Sequence, residues 1–236
     1  MRGWLRVLTA ATMLLTASAC SPHVPITTGP SPLPTSSNPA PPPPAADAPF
    51  SGPLSLDPRA WSTTGEFHPT LRAENSSLVV PLPSSSNVQL NYLYAEANRR
   101  LRPGQTIELT LVIRTSGLTI FRVDDPVGIG LPPSCRLFFS AFQHLGGADD
   151  FARWWSNPDA IVLAPGTFAL SVPLDPARWS QVGGKFGSAY PEAFAAALAS
   201  STALGITFGG GYSFGHGVYV LGGGAAEVVV TRYMVF

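Results

Sequence analysis

The densest grouping of side chains able to hold a polar ligand is Asp149-Asp150-Phe151-Ala152-Arg153-Trp154-Trp155-Ser156-Asn157. Sugars present apolar C–H faces that rest on indole rings, and hydroxyls that need fixed donors and acceptors; this stretch supplies both kinds of group. Asp149, Asp150, Arg153, Trp154, Trp155 and Asn157 are therefore candidate ligand-binding residues, read as members of a loop over 146–160. Trp179 and Tyr212 are further candidates. A packing role accounts for the same residues: one of the adjacent tryptophans plugs the end of a sandwich while Arg153 pairs with Asp149 or Asp150.

Catalytic chemistry finds no comparable grouping. His23, His68, His144 and His216 are scattered, without an HExxH or i,i+4 spacing, whereas zinc needs a converging set of N, S or carboxylate ligands. No GxSxG elbow marks a nucleophilic serine. Asp124-Asp125 and Asp149-Asp150 have the residue type of a glycosidase's acid and base, and equally that of solvated turns or oxygen ligands for a structural calcium. The glycines at 209–211 and 222–224 do not continue into GxxxxGK[ST]; Lys185, the single lysine, lies upstream. The expectation is a non-enzymatic protein with no catalytic residue, no metal and no cofactor. Lys+Arg and Asp+Glu number 14 each, so the basic excess of a nucleic-acid binder is missing and nucleic acid is excluded as a partner.

At the N-terminus, Arg2 and Arg6 precede an apolar core over 7–16, and Ala17-Ser18-Ala19 leads to Cys20. That core is too short to span a membrane and fits a secretory signal peptide over 1–19. Small residues ending in a cysteine resemble the lipobox of bacterial lipoproteins, although Ala17 stands where that family usually carries Leu. The resemblance implies a diacylglycerol on the Cys20 sulfur and a mature protein held at a membrane through it. Ser21 after the cysteine, by the same resemblance, implies the periplasmic side of the outer membrane in a diderm source. Ordinary cleavage after Ala19, with Cys20 a bystander, is the alternative.

The elements that must position the candidate residues begin further on. Thirteen of the 25 prolines lie between 21 and 58; proline fixes φ and removes the N–H, so 20–60 is expected to be a disordered, polyproline-rich tether. From Trp61 the texture changes. Val88, Leu90, Tyr92 and Tyr94 alternate with other residues, as do Ile107, Leu109, Leu111 and Ile113, and Phe168, Leu170, Val172 and Leu174; a period of two marks half-buried strands. The run 135–145 (CRLFFSAFQHL) carries aromatics at both parities, as a strand covered on two sides would. Its Cys135 is expected to be a buried thiol acting as a small hydrophobe. One helix is expected over 191–200, opening with Pro and Glu before an alanine-rich body. Residues 204–236 are three apolar runs punctuated by glycine clusters, a strand–turn–strand signal.

With 12% charged residues, 23 glycines and 25 prolines, the chain suits an all-β domain rich in turns. A helix set just before a Gly-rich group of closing strands, PEAFAAAL…LGITFGGG…GHGVYV, resembles the galactose-binding-like jelly rolls, a β-sandwich used by many carbohydrate-binding modules. The resemblance covers 61–236 and implies one jelly-roll domain with one short helix. The expected function is that of a membrane-anchored envelope lipoprotein binding a glycan or an envelope protein, with a structural or assembly role as the alternative and glycan hydrolysis a distant third.

Overall fold

The structure, a computed structural model, describes residues 49–85, 88–96, 100–123, 131–141, 149–210 and 217–236. Cys20, the signal peptide, most of the proline-rich stretch, Asp124-Asp125, His216 and Tyr212 lie outside the described residues. The clearest alternation in the sequence forms one of the two longest described strands. In β6 (Thr106–Ser116) Ile107, Leu109, Leu111 and Ile113 are buried while Glu108, Thr110, Val112 and Arg114 between them are half-buried. Such a strand covers one face and wets the other.

The remaining strands, in chain order, are β1 (Gly52–Pro53), β2 (Trp61–Gly65), β3 (Arg72–Glu74), β4 (Ser77–Pro81), β5 (Leu90–Glu96), β7 (Ile120–Arg122), β8 (Pro133–Ser140), β9 (Arg153–Val162), β10 (Gly166–Pro173), β11 (Ser180–Gln181), β12 (Ala203–Gly210), β13 (Tyr219–Leu221) and β14 (Ala225–Val235). All described pairings are antiparallel. One sheet runs β10-β6-β14-β4-β3, with β1 also on β14; the second runs β11-β9-β8-β12-β5-β2; β13 and β7 form a separate pair. The chain crosses repeatedly between the two sheets, from β4 to β5, β5 to β6 and β9 to β10, so each sheet is built from segments distant in sequence. This is the all-β sandwich with one short helix that the sequence predicts.

Between the sheets lies one apolar cluster. Leu78, Leu109, Leu111, Val228 and Val230 meet Leu93, Leu137, Phe139, Ile206 and Phe208. Helix α1 (Pro191–Ala199) begins with proline at its first turn and buries Phe194 and Leu198. Phe194 stands edge-on to Trp154, with ring centroids 5.1 Å apart, and to Phe139 at 5.7 Å. Glycines 222 and 223 adopt φ of +101° and +80° between β13 and β14, a conformation open to residues without a Cβ; the turn reading of this cluster holds.

The globular part starts ahead of Trp61. β1 pairs with β14, the Leu54 amide donates to the Tyr233 carbonyl at 2.9 Å, and the Phe50 amide donates to Arg100 at 2.8 Å. Leu54 is buried in the core, and the Trp61 indole N–H donates to the Ser55 carbonyl at 2.6 Å. Proline content alone therefore misplaces residues 49–60 in the tether: Pro53 and Pro58 sit in a terminal strand and at the start of a 3-10 turn, where a missing N–H is tolerated.

Candidate functional site

Residues 153–162, expected to lie mostly in a loop, form strand β9 beside β8 in the second sheet. The charges and Pro158 that signal a loop are absorbed by a bulge. Phe138 pairs with Trp155 but Arg136 pairs with Ala160, so four residues of β9, Ser156 to Asp159, stand opposite Leu137 alone. The Leu137 amide finds its acceptor in the Ser156 hydroxyl at 3.1 Å, which itself donates to the Asp159 carbonyl at 3.0 Å. Proline at 158 needs no donor there. The bulge aims Asn157 sideways: its Oδ1 accepts from Arg136 Nη1, and its Nδ2 donates to Ser180 Oγ of β11 at 2.5 Å.

Alternation decides what the two faces of this sheet carry. On β8, Cys135, Leu137 and Phe139 enter the core, so Ser134, Arg136, Phe138 and Ser140 occupy the opposite, outer face. Cross-strand register extends that face into rows about 7 Å apart along the strands. One row runs Arg153, Ser140, Ala203, Glu96; the next runs Ser180, Trp155, Phe138, Gly205, Tyr94, Ser62; a third runs Arg136, Thr207, Tyr92, Thr64. Tyr92, Phe138 and Trp155 form a second apolar cluster, separate from the core, with Tyr94 and Val182 against it. The Tyr92 and Phe138 rings meet edge-on at 4.8 Å. Between their strands stands Gly205, where a Cβ would lie 2.1 Å from the Leu93 carbonyl oxygen and 2.7 Å from Tyr94 Cα. The strands approach too closely there for any other residue.

Polar groups are threaded through these rings. The Arg153 guanidinium lies over Trp155, 5.8 Å from its ring centroid. Arg136 is 3% exposed, and burial pulls its guanidinium below the usual arginine range, with the Tyr92 phenol and the Cys135 thiol acting against that shift. Burial pushes the Tyr92 phenol above its ordinary value; the Arg153 and Arg136 guanidiniums, the Trp155 indole and the Thr207 hydroxyl beside it oppose the shift. The floor of the face (Arg136, Phe138, Trp155, Tyr92, Thr207) is buried, while Arg153, Tyr94, Val182 and Thr64 reach solvent at its rim.

The structure divides the sequence candidates. Arg153, Trp155 and Asn157 come together on the outer face. Trp154, one position along, turns inward: it is fully buried, its indole N–H donating to the Phe151 carbonyl at 2.7 Å. Trp179 is likewise a core residue, packed on Phe139 with ring centroids 5.2 Å apart and bonded to the Pro173 carbonyl at 2.8 Å. Asp149 and Asp150 are exposed before β9. Asp149 Oδ1 accepts from the Phe151 amide at 2.8 Å, an Asx turn, and the Asp150 carbonyl accepts from Val182. Asp149 also borders a cavity of about 460 Å³ lined by Phe151, Ala193, Ala196 and Ala197. Arg136, Tyr92, Tyr94, Phe138, Thr207 and Ser180 join the face without having been singled out in the sequence. The signal for β8 was present, since CRLFFS places an arginine and an aromatic at the parity opposite its core residues. Among the described residues, no group of three or more His, Cys, Asp or Glu side chains is placed to hold a metal ion.

No protein family matches the chain, and no curated protein does. Among solved structures it is similar to the CBM22-1–GH10 modules of the Clostridium thermocellum N-terminal endo-1,4-beta-D-xylanase 10B complexed with xylohexaose. The identity is 11% and the TM-score 0.38, over 78% of this chain and 27% of that one. At that identity and score the likeness carries neither ligand nor activity over to this chain.

Proposed function

We propose that this protein is a lipid-anchored envelope protein whose sandwich binds glycan, without catalysis, on the outer face of the β11-β9-β8-β12-β5-β2 sheet. The observation that carries the reading is the composition of that face. A sheet face turned away from the core ordinarily presents solvated polar side chains; this one sets Tyr92, Tyr94, Phe138 and Trp155 among Arg136, Arg153, Asn157 and Thr207. Of these side chains Tyr94 and Arg153, at the rim, reach solvent, and an aromatic ring on the same face as a cationic donor suits the C–H surface and hydroxyls of a sugar. The anchor rests on the Cys20 lipobox alone.

Two measurements test the parts separately. Affinity electrophoresis of the full chain against soluble polysaccharides is expected to show retardation that Tyr94→Ala, at the rim, weakens. Unretarded migration through the whole panel sinks glycan binding. For the anchor, growth with an alkynyl palmitate is expected to label the native protein and not Cys20→Ser; label retained on the variant overturns lipidation.

A second reading, docking to another protein, is favoured by one apolar tip. Leu118 is 68% exposed in the turn after β6, and Ile120 of β7 pairs across to Leu221 of β13, both also exposed. A partner retained stoichiometrically by the native chain and lost with Leu118→Asp supports this reading; retention by the variant removes it.

A further inference from the structure

The strands that end the two six-stranded sheets are guarded unequally. β3 has three residues, two of them charged; β11 has two residues, and β2 ends in a bulge at Thr64–Gly65. Brevity, charge and bulges are the ordinary protections of an exposed edge. β10 runs for eight residues at the edge of the first sheet, and no charged residue lies between Ile161 and Leu174. Register shows which of its main-chain groups are open. The Thr106 amide donates to the Phe236 carbonyl at 2.8 Å and its carbonyl accepts from the Phe236 amide at 3.1 Å, both on the β14 side of β6. Alternation then turns Ile107, Leu109, Leu111 and Ile113 toward β10, where they face Val172, Leu170, Phe168 and Gly166. Thr167, Ala169 and Ser171 between them aim their N–H and C=O groups away from the sheet, and no hydrogen bond engages those groups among the described residues. Pro165 and Pro173 fall on the same parity and have no N–H to offer. The Pro173 carbonyl is already taken by the Trp179 indole at 2.8 Å.

The open stretch is therefore bracketed by the two prolines and centred on Ala169. An antiparallel strand is its own complement under a two-fold axis. With the axis at Ala169, Thr167 stands opposite Ser171 of a second copy, and Ala169 opposite Ala169. Each of these pairs exchanges two main-chain hydrogen bonds, so every open N–H and C=O of both copies is used. Sliding one copy by two residues in either direction sets Ser171 against Pro165, or Thr167 against Pro173, and loses donors. The side chains of Thr167, Ala169 and Ser171 are exposed, small and uncharged, so no charge meets its own copy across the axis. Phe168 and Leu170, half-buried against the core, face each other between copies and gain apolar cover. We infer that two copies of this chain pair through β10 about a two-fold axis at Ala169, joining their first sheets into one continuous antiparallel sheet. Pairing consumes the long unguarded edge of each copy, so assembly closes at two.

Sedimentation velocity of the full chain over a concentration series tests the pairing. The mass is expected to rise from that of one chain to that of two and to stop there. A single-chain mass at every concentration up to about 1 mM overturns the inference, and growth beyond two chains overturns the closed two-fold arrangement. Ala169→Lys and Ala169→Glu, which set like charges against each other at the axis, are each expected to weaken self-association about tenfold or more. Mixed in equal amounts, the two variants are expected to associate again, because lysine then faces glutamate. Dimers of either variant as tight as the native ones overturn the pairing through β10. A mixture no tighter than its components, while the native chain dimerises, overturns the axis at Ala169. Should a variant melt early, amide hydrogen exchange of the native chain decides. The Thr167, Ala169 and Ser171 amides must gain protection as concentration rises, whereas the Phe168 and Leu170 amides, directed at β6, are protected throughout. Exchange at Thr167, Ala169 and Ser171 that does not depend on concentration overturns the inference.

Discussion

Trp154 and Trp155 are adjacent in the chain and part ways in the fold. Trp154 fills the core against Phe194, and Trp155 lies with Tyr92 and Phe138 on the opposite side of the sheet. Replacing each by alanine separates packing from binding. Trp154→Ala is expected to cost about 3–5 kcal/mol by denaturant titration, as for other large aromatics removed from cores, because it opens a cavity between β9 and α1. Trp155→Ala is expected to reduce glycan retardation in addition to its own stability cost. Equal stability losses with unchanged retardation would remove Trp155 from the binding face. Cys135 is the other residue with a sharp expectation. Its thiol is fully buried and pushed up to about 12. The folded state keeps a proton that the unfolded chain releases near its ordinary value of about 9, so stability falls as pH rises through this window and is unaffected below it. Comparison with Cys135→Ala in alkaline denaturation should isolate that slope; identical pH dependence of the two proteins contradicts it. At this scale the sequence displayed the Trp-Trp pair because the residues are contiguous. It hid Tyr92, Arg136 and Thr207, which are brought together by register across strands more than forty positions apart.

Strand β9 illustrates what element-level reading can and cannot resolve. Alternation in β6 and β10 is unbroken and legible, and α1 announces itself by Pro191 and its alanines. In β9 the alternation is interrupted by the bulge at Ser156–Asp159, so the period of two is lost although the strand continues. The same physics gives Gly205 its place. It lies inside β12, within an apolar run, where β5 comes too near for a Cβ. Gly205→Ala is expected to destabilise the protein by about 1–3 kcal/mol through overpacking and to disturb the Tyr92–Phe138 contact; an unchanged melting temperature refutes the close approach. The β3–β4 turn carries the opposite case. Asn75 and Ser76 adopt φ of 48° and 64°, a left-handed pair typical of tight hairpins, and serine is strained there. Ser76→Gly should relieve that strain and stabilise the hairpin by up to about 1 kcal/mol, offset in part by the greater freedom of glycine in the unfolded chain. A lower melting temperature for Ser76→Gly counts against the strain.

For the molecule as a whole, the boundary of the sandwich is the feature that proline content obscured most. Proline density argues against helix and central strand. It does not say where such a stretch stops being a linker, because an edge strand, a 3-10 start and a buried leucine all tolerate prolines between them. Residues 50–60 contribute Leu54 to the core, β1 to the edge of β14 and the Ser55 carbonyl to the Trp61 indole. Phe50 adds a second closure: its amide donates to Arg100 and its carbonyl accepts from Gln105 Nε2 at 2.7 Å. Removing all of this strips a buried leucine, worth about 1.5–3 kcal/mol, and leaves the Trp61 indole N–H buried without its acceptor, a further loss of about 1–3 kcal/mol. A chain starting at Pro49 should therefore melt with the full-length protein, whereas one starting at Trp61 should melt on the order of 10 °C lower, given about 2–4 °C per kcal/mol for a domain of this size. Coincident melting of the two truncated chains would place the sandwich boundary back at Trp61 and return residues 49–60 to the tether.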